Sequence, residues 1–158
     1  MFADASLANC PGAKSANGLL FKYNNFVVLH DGSTQSCVAM DTAESEYVPA
    51  STGARKAMGI LNMLSGMGIS HPQQVLMYED NTAAIDMVKS PYIKRGARPI
   101  DIRVNKIREL HEQMLLEIVH IPSAKQEADG LTKILSPIMF EAWRASTGMC
   151  SMEDFKQQ

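Results

Sequence analysis

Between residues 2 and 34 the apolar positions come in short runs broken by turn-forming residues: Phe2-Ala3-Asp4-Ala5, then Gly18-Leu19-Leu20-Phe21-Lys22-Tyr23, then Phe26-Val27-Val28-Leu29-His30. Cys10-Pro11-Gly12-Ala13-Lys14 reads as a loop, Asn24-Asn25 as a hairpin turn, and Asp31-Gly32-Ser33 as the end of the third run. The pattern predicts a three-stranded antiparallel meander. From Thr42, a side chain suited to capping a helix, the period changes. Ala43, Tyr47, Ala50, Ala54, Met58 and Leu61 recur at steps of three and four, one stripe of a long helix that ends at Gly66-Met67-Gly68. Val75-Leu76-Met77-Tyr78 is an unbroken apolar run, the pattern of a strand covered on both faces and ended by Asp80. Asn81 to Lys89 predicts a short helix capped by Asn81, and Ile100 to Met114 a further helix. Leu116 to Ile121 predicts a strand closed by Pro122, followed by helices near Ala128 to Ile134 and Pro137 to Ser146. The order βββ-α-β-α-α-β, with the two late helices after it, implies a mixed sheet with helices on its faces.

At 158 residues the chain suits a single domain, expected over residues 1–148 with a tail at 149–158. A net charge of −2 gives no global attraction for nucleic acid, so any such binding must come from a local basic face. Lys89, Lys94, Arg95, Arg98, Arg103, Lys106 and Arg108 form the one dense basic stretch, interrupted by Glu109 and Glu112. Cys10, Cys37 and Cys150 are far apart and odd in number, which argues against a disulfide framework or a zinc site and for a reduced, intracellular, cytoplasmic protein. No apolar run approaches the roughly 20 residues of a membrane span.

Acidic residues sit where elements begin or end: Asp4 in the first strand, Glu44 and Glu46 early in the long helix, Asp80 after the apolar run, Asp129 at a late helix start. Clustered carboxylates repel, and a hard divalent ion removes that cost. Two such ions about 4 Å apart can serve phosphodiester hydrolysis. From spacing alone, caps or surface charges are the more expected roles, since acids at helix N-termini are favoured anyway. At about 100° per residue, Glu44 and Glu46 fall at opposite borders of the apolar stripe, so periodicity leaves both in play.

Taken together, five segments resemble the ribonuclease H domain of copia-type retrotransposon polyproteins: Phe2-Ala3-Asp4-Ala5-Ser6 with Cys10-Pro11; Thr42-Ala43-Glu44-Ser45-Glu46-Tyr47; Tyr78-Glu79-Asp80-Asn81-Thr82-Ala83-Ala84-Ile85; Ile100-Asp101-Ile102-Arg103 with Ile107-Arg108-Glu109; and Ile121-Pro122-Ser123 with Ala128-Asp129-Gly130-Leu131-Thr132-Lys133. The resemblance runs from residue 2 to about 148. It implies an α/β, ribonuclease H-like fold whose five-stranded mixed sheet has three antiparallel strands followed by two parallel ones. It implies a catalytic, metal-binding set of Asp4, Glu46, Asp80 and Asp129, choosing Glu46 over Glu44 by analogy, and two Mg²⁺ ions, with Mn²⁺ as a substitute.

The implied activity is cleavage of the RNA strand of RNA/DNA hybrids during reverse transcription, beside an upstream reverse transcriptase in the natural polyprotein. Only three residues precede Asp4, the pattern expected of a domain cut from a longer chain. Ser6, Thr42 and Asn81 are candidates for contacts to the hybrid, and Lys94, Arg95, Arg98 and Arg103 for its phosphates. The sequence departs from the family at Pro49, expected to kink the helix bearing Glu46, at Pro99, and in having no histidine over residues 123–128. The alternative is a catalytically silent domain that binds nucleic acid or supports a polymerase. A phosphoacceptor domain would need an acidic pair after the first strand and a lysine after the last, and Ile121-Pro122-Ser123 provides none.

Overall fold

The computed structural model describes residues 1–90 and 98–149. Strands β1 (Phe2–Cys10), β2 (Lys14–Tyr23) and β3 (Phe26–Thr34) form the antiparallel meander. Asn24 and Asn25 both take positive φ (48° and 67°), as the two central positions of a type I′ hairpin turn require. The strands run longer than the apolar runs suggest. Asp31, Gly32 and Ser33 do not end β3: they pair with Leu19, Gly18 and Asn17 of β2. Ladder hydrogen bonds to a long neighbour outweigh the local turn preference of these residues.

Helix α1 spans Thr42–Gly66. Its cap is Asp41, not Thr42: the Asp41 carboxylate accepts the Glu44 N–H at 2.7 Å, and Glu44 reaches back to accept the Met40 N–H at 2.6 Å. Pro49 lies inside the helix, which continues unbroken across it. The buried stripe is Tyr47, Ala50, Ala54, Ala57, Leu61 and Leu64, with Met58 half-buried. Its small residues bring α1 close to the sheet. A Cβ on Gly53 would stand 2.8 Å from Leu19.

Strand β4 (Val75–Glu79), helices α2 (Thr82–Lys89) and α3 (Arg98–Glu112), and strand β5 (Leu116–His120) complete the parallel part. The sheet order is β3-β2-β1-β4-β5, with β1–β4 and β4–β5 parallel. This is the five-stranded mixed sheet expected. One core joins Ala3, Leu19 and Phe21 of the meander to Met77 and Ile118 of the parallel strands, under α1, α2 and α3. β4 ends one residue before Asp80 and is not covered on both faces: Val75, Met77 and Glu79 are buried, whereas Leu76 is 41% exposed. Leu76 and Tyr78 line an open groove of about 820 Å³ with Phe2, Lys22 and Trp143, because little packs on that face of the sheet. A one-turn α4 (Asp129–Thr132) and α5 (Pro137–Ser146) close the chain, and no helix among the described residues is long and apolar enough to cross a membrane.

Candidate active site

The ladder between β1 and β4 is a single pair, Phe2 with Tyr78, so the carboxyl ends of these parallel strands part just beyond it. Such ends are where open α/β sheets collect ligands. Asp4 follows on β1, and Glu79 and Asp80 on and after β4. Asn81 caps α2, its side-chain oxygen accepting the Ala83 and Ala84 N–H groups at 3.0 and 3.3 Å, and its own N–H donates to Glu79 Oε1 at 3.1 Å. These bonds fix the turn that presents Asp80.

Glu46 arrives from α1, which packs on β1, and is buried at 4% exposure. Glu44 is spent on the helix cap. Geometry therefore separates the two acids that periodicity could not.

Asp129 arrives on α4, which lies directly on the meander. Gly18, the β2 partner of Asp4, makes this possible: a Cβ there would stand 2.6 Å from the Ala128 carbonyl oxygen and 2.8 Å from Thr132. The Trp143 ring fills the space a side chain at Gly130 would need, and its Nε1 donates to the Glu127 carbonyl at 2.6 Å. Thr132 Oγ1 donates to Asp4 Oδ2 at 2.5 Å, and Lys133 Nζ pairs with Asp129 at 2.6 Å. Thus α4 is tied to β1 by its own side chains.

These acids feel one another. Burial, then Asp129 and Asp80, push Asp4 up to about 7 against the opposing Thr132 bond. Burial, with Glu79, Asp4 and Asp80 nearby, pushes Glu46 up to about 10. Burial raises Glu79 to about 8, again with Asp80 and Asp4 contributing. Asp4, Glu46, Asp80 and Asp129 thus share one electrostatic neighbourhood.

Glu79 is a fifth member that the sequence reading passed over. Its parity on β4, in step with Val75 and Met77, was the available signal: alternate residues of a strand share a face. Thr132 and Lys133 were likewise quoted only as part of a motif.

The other expected contacts are mixed. Ser6 is half-buried on β1, Thr42 is exposed at the start of α1, and Arg103 is half-buried on α3. Lys94 and Arg95 lie outside the described residues, as does the side chain of Arg98. Part of the basic stretch is structural. Arg108 donates to the Val88 and Met87 carbonyls at the end of α2, and Lys106 pairs with Glu109 at 3.0 Å.

Could these residues hold a divalent cation? The donors are hard carboxylate oxygens. Glu46 Oε2 and Glu79 Oε2 are buried without a hydrogen-bond partner, and the mutual repulsion is of the kind a cation relieves. The chemistry fits. The spacing is looser: among the described residues no three acidic, histidine or cysteine side chains stand as a ready-made cage, and Lys133 holds Asp129. Side-chain rotations would have to draw the carboxylates inward.

The strand order and helix placement define a ribonuclease H-like fold. Solved structures agree. The N-terminal RNase H domain of a Mycobacterium tuberculosis protein matches with a TM-score of 0.60 at 15% identity, over 92% of this chain and 94% of its own. A ribonuclease H1 solved in complex with an RNA/DNA hybrid matches with a TM-score of 0.59 at 16% identity, over 82% of this chain and 89% of its own.

By sequence, the homologues are retrovirus-related Pol polyproteins of plant transposons. The polyprotein of transposon TNT 1-94 from Nicotiana tabacum is 29% identical over 95% of this chain, and that of RE2 from Arabidopsis thaliana 24% over 85%. The chain spans only about a tenth of their length, 11% and 9%. No protein-family model matches the chain.

Proposed function

We propose that residues 1–148 form a metal-dependent ribonuclease H, an endonuclease that hydrolyses the RNA strand of RNA/DNA hybrids. What supports this reading is that buried Asp4 and Glu46, from β1 and α1, lie near half-exposed Asp80 and Asp129, from the β4–α2 turn and α4: Asp129 and Asp80 oppose ionisation of Asp4, and Asp4 and Asp80 oppose that of Glu46. A fold has no structural reason to bury several like charges together, since the arrangement costs stability. Two bound Mg²⁺ or Mn²⁺ ions would supply water activation and charge neutralisation at the leaving 3′ oxygen.

The chain's own groups do the rest. Asp4, Glu46, Asp80 and Asp129 would hold the ions. Thr132 aims Asp4, the Asn81 cap aims Asp80, and the Trp143–Gly130 contact seats α4. Lys133 offsets the charge of Asp129 when no other cation does. Recognition of the hybrid would use 2′-hydroxyl contacts from Ser6, Thr42 and Asn81 and phosphate contacts from Lys94, Arg95, Arg98 and Arg103. In the parent polyprotein the domain would follow a reverse transcriptase and work intracellularly.

The test is cleavage of end-labelled RNA in an RNA/DNA hybrid, against RNA/RNA and DNA/DNA duplexes, with Mg²⁺ and with EDTA. Cleavage of the hybrid alone, abolished by EDTA, is expected; an inert protein under all metal conditions sinks the proposal. The Lys133–Asp129 ion pair and the loose carboxylate spacing favour a second reading, a silent domain that binds the hybrid. Binding without cleavage would select it.

A further inference from the structure

Pro49 has no N–H, so the carbonyl four residues earlier, that of Ser45, loses its helical donor. Ser45 is fully buried, so water cannot replace that donor. Gln35 does. Its Nε2 donates to the Ser45 carbonyl at 2.8 Å and to Asn17 Oδ1 at 2.8 Å, from a side chain only 2% exposed, while Oε1 has no partner. Both amide hydrogens are therefore used, and the orientation of the amide follows from its two acceptors. Gln35 is itself held by its backbone N–H on the Ser15 carbonyl at 2.8 Å. Asn17 pairs with Ala5, the residue after Asp4 on β1, and Ser45 immediately precedes Glu46.

We propose that Gln35 is a positioning residue: it replaces the backbone donor missing at Pro49, ties the first turns of α1 to β2, and thereby holds Glu46 beside Asp4. The inference rests on the nuclease reading for its functional half only. A proline in this helix is then tolerated because a side chain from the segment before the helix supplies the missing bond.

Four proteins test it: the parent, Gln35→Met, which keeps the side chain's length, Pro49→Ala, and the double variant. Pro49→Ala returns an N–H able to serve the Ser45 carbonyl, whereas loss of the Asn17 contact is common to both backgrounds. In metal-free protein, Gln35→Met is expected to lower the melting temperature by about 4 °C in the parent and by less than half of that beside Pro49→Ala. The amides of residues 46–48 and 50–53 should exchange about tenfold faster in the single variant and recover in the double.

Hybrid cleavage at saturating substrate should fall about tenfold in Gln35→Met, with KM within about twofold, and return to within about threefold in the double variant. Equal melting losses in both backgrounds would overturn the proposal. So would stability that recovers while turnover does not. A single variant that folds only beside Pro49→Ala supports the coupling, and one that folds in neither background refutes it. If no protein cleaves hybrid, the nuclease reading fails, while the melting comparison still judges the bond.

Discussion

The two ends of α1 face the same sheet and bury opposite chemistries. Its C-terminal half covers the core with Ala54, Ala57, Leu61 and Leu64, groups whose removal from water stabilises the fold. Its N-terminal half buries Ser45 and Glu46, the latter among Asp4, Glu79 and Asp80, where burial opposes ionisation. The first end can be understood from stability alone. The second cannot, and on the proposed nuclease reading it is where a cation and a phosphodiester would return the cost of burying carboxyl groups.

The comparison breaks most visibly through activity. Asp80→Asn keeps shape and the neighbouring cap of α2, so it should leave the melting temperature within about 2 °C while hybrid cleavage falls by at least roughly 100-fold. Retained cleavage would remove Asp80 from the mechanism. At the apolar end, Leu61→Ala should cost about 2–4 kcal/mol by denaturant unfolding, with Mg²⁺ unable to restore the loss. A similar cost for Glu46→Gln would erase the distinction between the ends.

Divalent cation should act on the acidic end alone and in a pH-dependent way. Asp4, Glu79 and Glu46 are raised to about 7, 8 and 10 from ordinary values of 3.8, 4.5 and 4.5. The folded, metal-free protein therefore binds more protons than the unfolded chain. The stability from these groups is fully present below about pH 4 and is lost as pH climbs through their folded values. Millimolar Mg²⁺, competing with those protons, should raise the melting temperature by about 3–5 °C at pH 8.5 and by less than about 1 °C at pH 5. The opposite trend would mean that the carboxylates do not share a cation. The smallest effect sharpens the contrast further. Glu46→Gln, neutral at every pH, should raise the melting temperature of the metal-free protein at pH 8.5 by about 1–2 °C and blunt its response to Mg²⁺.

Local patterns were read correctly where a single element suffices. Asn24-Asn25 announces its turn, and Asn81 its cap, because positive φ and side-chain capping are decided within a few residues. Errors came where a neighbour decides. Asp31-Gly32-Ser33 became strand because β2 offered a ladder. Leu76 is exposed because little covers that face, and Thr42 yielded its cap to Asp41, whose carboxylate found the Glu44 N–H. Pro49 did not interrupt α1, and Gln35, which nothing local marks, is why its Ser45 carbonyl is not stranded.

By itself the amino-acid order determined the succession of elements, the mixed sheet they imply and five acids worth watching, from which the family resemblance took four, since hydrophobic period and chain order are properties of the chain alone. Tertiary structure decided the rest. It set Glu46 apart from Glu44, brought in Glu79, Thr132 and Lys133, and let α4 settle on Gly18. The placing of Glu46, Thr132 and α4 depends on which side chains meet between elements distant in sequence, and burial and electrostatic repulsion act through distance in space, not along the chain.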